Sequence, residues 1–157
     1  MKEWYSDSQL GIFFDITPKI GIRYAKPTMT DSEIESIKKY PFVNKQKLTV
    51  RLIDNVKQKT YEFDIPKGYC FDGASVPRFF WRIIGAPTDN EFLIAALVHD
   101  VMCENHSYIM NDRKFSTEVF NALLKVSKVS KVKRFLMVSG INIFQKFFCD
   151  WGLEWGK

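Results

Sequence analysis

Histidine is scarce in this sequence: His99 and His106 are the two among 157 residues. Metal centres that require several histidines are excluded at once. Cysteine is scarce too, and Cys70, Cys103 and Cys149 stand at long, irregular spacings. An odd number so placed matches neither a paired-thiol zinc site nor a disulfide framework, so reduced, mostly buried thiols are expected. No run of 18 apolar residues occurs, and with it the expectation of a transmembrane helix falls away. The first seven residues, with Lys2, Glu3 and Asp7 among them, lack the apolar stretch of a secretory signal. Internal repeats, low-complexity segments and long linkers are also missing.

What is present is a large apolar fraction. Hydrophobic residues make up 46% of the chain and 14 residues are Phe, enough for a core and too much for intrinsic disorder. The length suits one domain, taken as residues 1–157. The formal charge is +5, and much of the excess sits in Lys125, Lys128, Lys131, Lys133 and Arg134. A solvated helix end is the simpler reading of that stretch. A nucleic-acid or anionic-membrane patch is the alternative, though no nucleic-acid motif accompanies the charge.

The pattern predicts an α+β fold, with residues 1–66 mainly β and residues 67–157 a loop followed by helices. Strands are expected at 11–16 and 20–24, flanking the turn residues Thr17, Pro18 and Lys19. Residues 28–40 read as a short amphipathic helix or a surface loop. Alternation at 48–53 and 61–65 marks a hairpin whose turn begins at Asp54 and Asn55. The expectation is thus an antiparallel sheet of about four strands. Three helices pack against it: one from the capping box of Thr88 and Glu91 to about Cys103, one from Asn111 and Asp112, and one over 131–148. On the last, Phe135, Leu136, Val138, Ile141, Phe144 and Phe148 are available for burial. The aromatic tail with Trp151 and Trp155 is expected to fold back on the domain.

Three features could carry chemistry. The loop with Asp72, Gly73, Ser75 and Pro77 presents a carboxylate and exposed backbone groups; its plain alternative is a capping turn before residues 78–83. The pair His99 and Asp100 lies inside a strongly apolar helix. A buried carboxylate there needs a partner, and imidazole is the side chain suited to proton transfer near neutral pH. Asp112 opens the next helix, where antiparallel packing could set it against His99 as an orienting group. Alone, Asp112 is a favourable N-terminal acid.

The run Asp72-Gly73-Ala74-Ser75-Val76-Pro77, then Phe80-Trp81, His99-Asp100 and Asp112-Arg113-Lys114-Phe115, resembles the family called domain of unknown function 1353. Its members are encoded mainly by bacteriophages and prophages, which implies a phage origin. Cys103 stands where such proteins commonly carry an aromatic residue. The same helix pair is more loosely similar to phospholipases A2. That likeness implies His99 as general base, Asp100 as a cation ligand and Asp112 as the group that holds the imidazole. The Asp72 loop would complete the shell of a divalent cation, calcium rather than zinc.

Two functions therefore compete. One is a phage hydrolase using His99, Asp100 and Asp112 on an envelope component such as lipid. The other is a non-enzymatic virion component or host-interaction protein, in which the same residues form a buried polar network. A nucleic-acid binder using Lys125 to Arg134 comes third. The expected location is the cytoplasm of the infected host, with the virion as a further station. A hydrolase presents His99 at the base of an open cleft, with the Asp72 and Asp100 carboxylates converging on one point; a structural network seals it beneath side chains with both ring nitrogens bonded.

Overall fold

The alternating segments do form the middle of a sheet. The computed structural model describes residues 1–71 and 90–148. The first part contains β1 (Lys2–Ser6), β2 (Leu10–Phe14), β3 (Ile20–Ile22), α1 (Asp31–Lys39), β4 (Phe42–Asn44), β5 (Leu48–Asp54), β6 (Lys59–Ile65) and β7 (Cys70–Phe71). The second contains α2 (Asn90–Glu104), α3 (His106–Ile109), α4 (Arg113–Val126) and α5 (Lys131–Phe148). The class is α+β, as the sequence predicts. The capping box at Thr88, the loop at 72–77 and the Trp151 tail lie outside the described residues.

Strands β1-β2-β5-β6 make a four-stranded antiparallel sheet. In β5, Leu48, Val50, Leu52 and Asp54 are buried while the residues between them are half-exposed; in β6, Tyr61, Phe63 and Ile65 alternate with exposed neighbours. This period of two gives the sheet one dry face. Strand β1 escapes sequence reading because its polar residues suit an edge, where Trp4 packs edge-on against Phe14 at 5.3 Å.

Strands β2 and β3, on either side of Pro18, do not pair. Asp15 Oδ1 accepts from the backbone N–H of Ile16 and of Thr49, which ends β2. The chain then leaves for a second antiparallel sheet of order β3-β4-β7. Helix α1 resolves the ambiguity at 28–40. Thr30 accepts from the Glu33 N–H and Glu33 returns a bond to the Thr30 N–H, so two orphan donors are satisfied.

Helix α2 lies deep in the core. Phe92, Leu93, Ala95, Ala96, Leu97, Val98, Val101 and Met102 are all buried, so this helix is apolar nearly all round, as a helix enclosed by other elements must be. Helix α4 is amphipathic and buries Phe115, Val119, Phe120 and Leu123, the face predicted for it. The Phe115 ring stacks on Tyr61 of β6 at 5.0 Å, tying helix layer to sheet.

Helix α5 corrects the expected burial. Met137 and Ile141, one turn apart, are buried, Leu136 and Val138 are half-buried, and Phe135 is 71% exposed. Phe135 lies about 200° around the helix from Met137, on the opposite side.

Candidate functional site

The polar residues of α2 fall on its C-terminal half. His99 and Cys103 are four apart, as are Asp100 and Glu104, so all four share a broad face over the last two turns. His99 is 2% exposed. Its ring meets that of Phe120 on α4 at 5.3 Å and 63°. Burial pushes the His99 imidazole down to about 4, so the ring is neutral throughout the physiological range.

Cys103 Sγ lies 3.7 Å from His99 Nδ1 and 3.6 Å from Nε2. Near-equal distances to both nitrogens put the sulfur beside Cε1 or over the ring face, off either nitrogen's in-plane axis. The contact is a soft packing interaction rather than a thiol aimed at a base. His106 is turned toward the chain itself: its Nδ1 donates to the Cys103 carbonyl oxygen at 3.1 Å.

Asp100 is half-buried, and its negative charge is felt by Tyr69 in the turn before β7. The Tyr69 hydroxyl donates to a carboxylate oxygen of Glu104. Burial raises the Tyr69 phenol, and the Glu104 bond and the charges of Glu104, Asp100 and Cys103 raise it further. Tyr69 and Glu104 are not among the expected site residues, and Cys103 is expected only as a departure from the family pattern. The usable signal was the i, i+4 spacing of Glu104 from Asp100 and of Cys103 from His99. Tyr69 also lines a cavity of about 210 Å³ between β6, α2 and α3, together with Phe63, Val101, Asn105 and Tyr108.

The structure does not bring Asp112 to His99. Asp112 is the N-cap of α4: its Oδ1 accepts from the Phe115 N–H at 2.7 Å, and its other oxygen is ion-paired with Lys57 in the β5–β6 turn. Burial would raise this carboxyl, but the bonds from Lys57 and Phe115 and the charges of Lys57 and Lys114 hold it below the ordinary range. The α4 residue that meets His99 is Phe120, eight positions and about 12 Å further along the helix. Sequence reasoning placed the right helices together but in the wrong longitudinal register. One turn before Phe120, Ser116 and Thr117 are buried, each bonded to the Arg113 carbonyl.

Asp72, Gly73, Ser75 and Pro77 lie outside the described residues. Among the described residues no three His, Cys, Asp or Glu side chains are arranged to hold a metal ion. The basic stretch runs from the end of α4 (Lys125) through the turn at Lys128 to the start of α5 (Lys131, Lys133, Arg134). No helix of the described residues is long and apolar enough to cross a membrane.

The chain belongs to the family described as "Protein of unknown function (DUF1353)", whose model matches residues 49–141. That span runs from β5 into α5 and includes the whole α2–α4 pair. A 51-residue stretch, 32% of this chain, is 41% identical to "Uncharacterized protein y4jT" of Sinorhizobium fredii. The stretch covers 15% of that relative's length. No solved structure matches the chain.

Proposed function

We propose that this chain is a non-enzymatic phage protein, a virion component or a host-interaction factor, whose α2 polar cluster locks the helix pair rather than performing chemistry. The observation that carries this reading is the state of His99. It is 2% exposed, held neutral by burial, and set edge-on to Phe120. A general base works from within hydrogen-bond reach of the proton it removes, about 2.6–3.2 Å, and a ring this buried supports a packing role over one that meets substrate. The carboxylate expected to orient it is committed to Lys57 and to the cap of α4. A buried polar network of this kind adds uniqueness to a core that apolar packing alone leaves interchangeable. The test is twofold. Purified phage particles, or complexes captured from infected cells, are searched for the chain by mass spectrometry. The purified protein is incubated with phospholipid vesicles and calcium. Co-purification without turnover is the expected result; turnover lost in a still-folded His99→Gln variant would sink the reading.

One observation favours the hydrolase as a second reading. Asp100, Cys103 and Tyr69 are half-buried, Glu104 is exposed, and together they border the α2 face beside His99. The raised Tyr69 phenol and the lowered His99 imidazole stand together here, and displaced protonation equilibria gathered in one place are a mark of reactive sites. On this reading Asp100 holds calcium with help from the Asp72 loop. Calcium titration of the wild type against Asp100→Asn decides it: heat of binding lost in the variant favours the hydrolase, and silence in both removes it.

A further inference from the structure

Among the described residues, α5 is buried along one side and shows large apolar side chains on the other. Met137 and Ile141 enter the core at 2% and 0% exposure. On the other side Val132, Phe135 and Ile143 stand 70%, 71% and 52% exposed. Val132 and Ile143 are eleven residues apart, about three full turns, so they fall on nearly one line roughly 16 Å long, with Phe135 beside it. Scattered exposed apolar residues are ordinary; two in line with a phenylalanine beside them form a patch.

The segment that carries the patch holds charge of one sign. Residues 119–149 contain Lys125, Lys128, Lys131, Lys133, Arg134 and Lys146, and no Asp or Glu. Lys125, Lys128 and Lys131 are exposed where α4 turns into α5, at one end of the apolar line. Lys125 sits near Asp7, whose carboxyl it helps to hold down. Lys128 and Lys131 enter no ion pair among the described residues.

We infer that the outer face of α5, with Lys128 and Lys131 at its end, docks on an anionic phospholipid surface. An apolar stripe with lysines at its margin is the arrangement by which a helix lies in a membrane interface, its side chains in the acyl boundary and its ammonium groups among the phosphates. Nucleic acid would meet the lysines but leave Val132 and Ile143 without a role, since phosphate contacts supply that affinity. A second copy of the chain would set positive charge against positive charge in either orientation, because the whole 119–149 segment lacks an acid. The inference stands whether the α2 cluster is structural or catalytic.

The experiment is co-sedimentation of the full chain with vesicles of phosphatidylglycerol and phosphatidylcholine, against vesicles of phosphatidylcholine alone. Binding to the first, weakened by salt and slight on the second, is expected. Phe135→Ser and the double variant Lys128→Glu/Lys131→Glu should each lower partitioning roughly tenfold, since one apolar anchor or two reversed charges are lost. All three positions are exposed, so circular dichroism and Tm should stay at wild-type values. Equal binding to both vesicle types, no binding, or unchanged binding by both variants overturns the inference. So does displacement of the vesicles by a short RNA through the same lysines. A dimer that Phe135→Ser dissociates, with no affinity for vesicles, overturns it as well.

Discussion

The rings of His99 and Phe120 stand 5.3 Å apart at 63°, so one of the contacts that join α2 to α4 is made by an imidazole that stays uncharged. Its folded value of about 4 lies below the ordinary 6.5. Between those two values the unfolded chain binds a proton that the folded chain refuses. Stability is therefore complete above about pH 6.5 and falls as the pH drops toward 4. The full difference is on the order of 3 kcal/mol. Urea unfolding at stepped pH should show this slope in the wild type and a shallower one in His99→Leu. Parallel curves would mean that His99 is not the titrating group.

Asp112 offers a separate test, because cap and ion pair can be removed one at a time. Asp112→Ala loses both and should cost about 1–2 kcal/mol. Asp112→Asn keeps an acceptor for the Phe115 N–H and should cost under about 1 kcal/mol. A double-mutant cycle with Lys57→Ala should give a coupling of about 0.5 kcal/mol that shrinks in salt, since both side chains are part-exposed. The His99 ring resonances should not move in any of these variants. A change in the His99 titration on Asp112→Asn would show that Asp112 acts on the imidazole after all.

How far the sequence could be read follows from the range of each signal. Alternation over 48–53 and 61–65 and the apolar face of Phe115, Val119, Phe120 and Leu123 are local patterns, and the elements they predict are there. Strands β1, β4 and β7 are short or polar, and exist because a neighbouring strand offers them hydrogen bonds; nothing local marks them. The site divides in the same way. That His99 and Asp100 lie on a helix packed against the helix opened by Asp112 was legible. Which α4 residue faces His99 depends on how far the helices slide along each other, and the turn through α3 sets Phe120 opposite. Tyr69 was hidden because its link to Glu104 spans 35 positions.

That link makes its own prediction. Burial, the bond to Glu104 and the surrounding negative charges all oppose ionisation of the Tyr69 phenol. In a near-ultraviolet alkaline titration Tyr69 should not ionise before the protein unfolds. The curve of Tyr69→Phe should accordingly superpose on the wild type up to unfolding. The variant should lose about 1 kcal/mol, the usual net worth of one such bond. If the variant instead lacks one tyrosine's amplitude in the ordinary range, the phenol is not held by Glu104.

The turn that presents Tyr69 rests on Asn44 and Gly68. Asn44 is fully buried; its Nδ2 donates to the carbonyls of Ile65 and Pro66, and its backbone binds Tyr69 and Gly68. Gly68 has φ of +90°, and a Cβ there would meet nothing within 4 Å. The cost of Gly68→Ala is therefore backbone strain alone, about 1 kcal/mol or somewhat more. Asn44→Leu leaves buried carbonyl oxygens short of donors and should cost about 2–3 kcal/mol. Both should also loosen the Tyr69 side chain, which hydrogen exchange in the 66–71 segment would register as faster exchange with α2 unchanged. Equal loss of protection in α2 would mean that turn and helix open as one unit, and that Tyr69 is an integral part of the core rather than a residue placed against it.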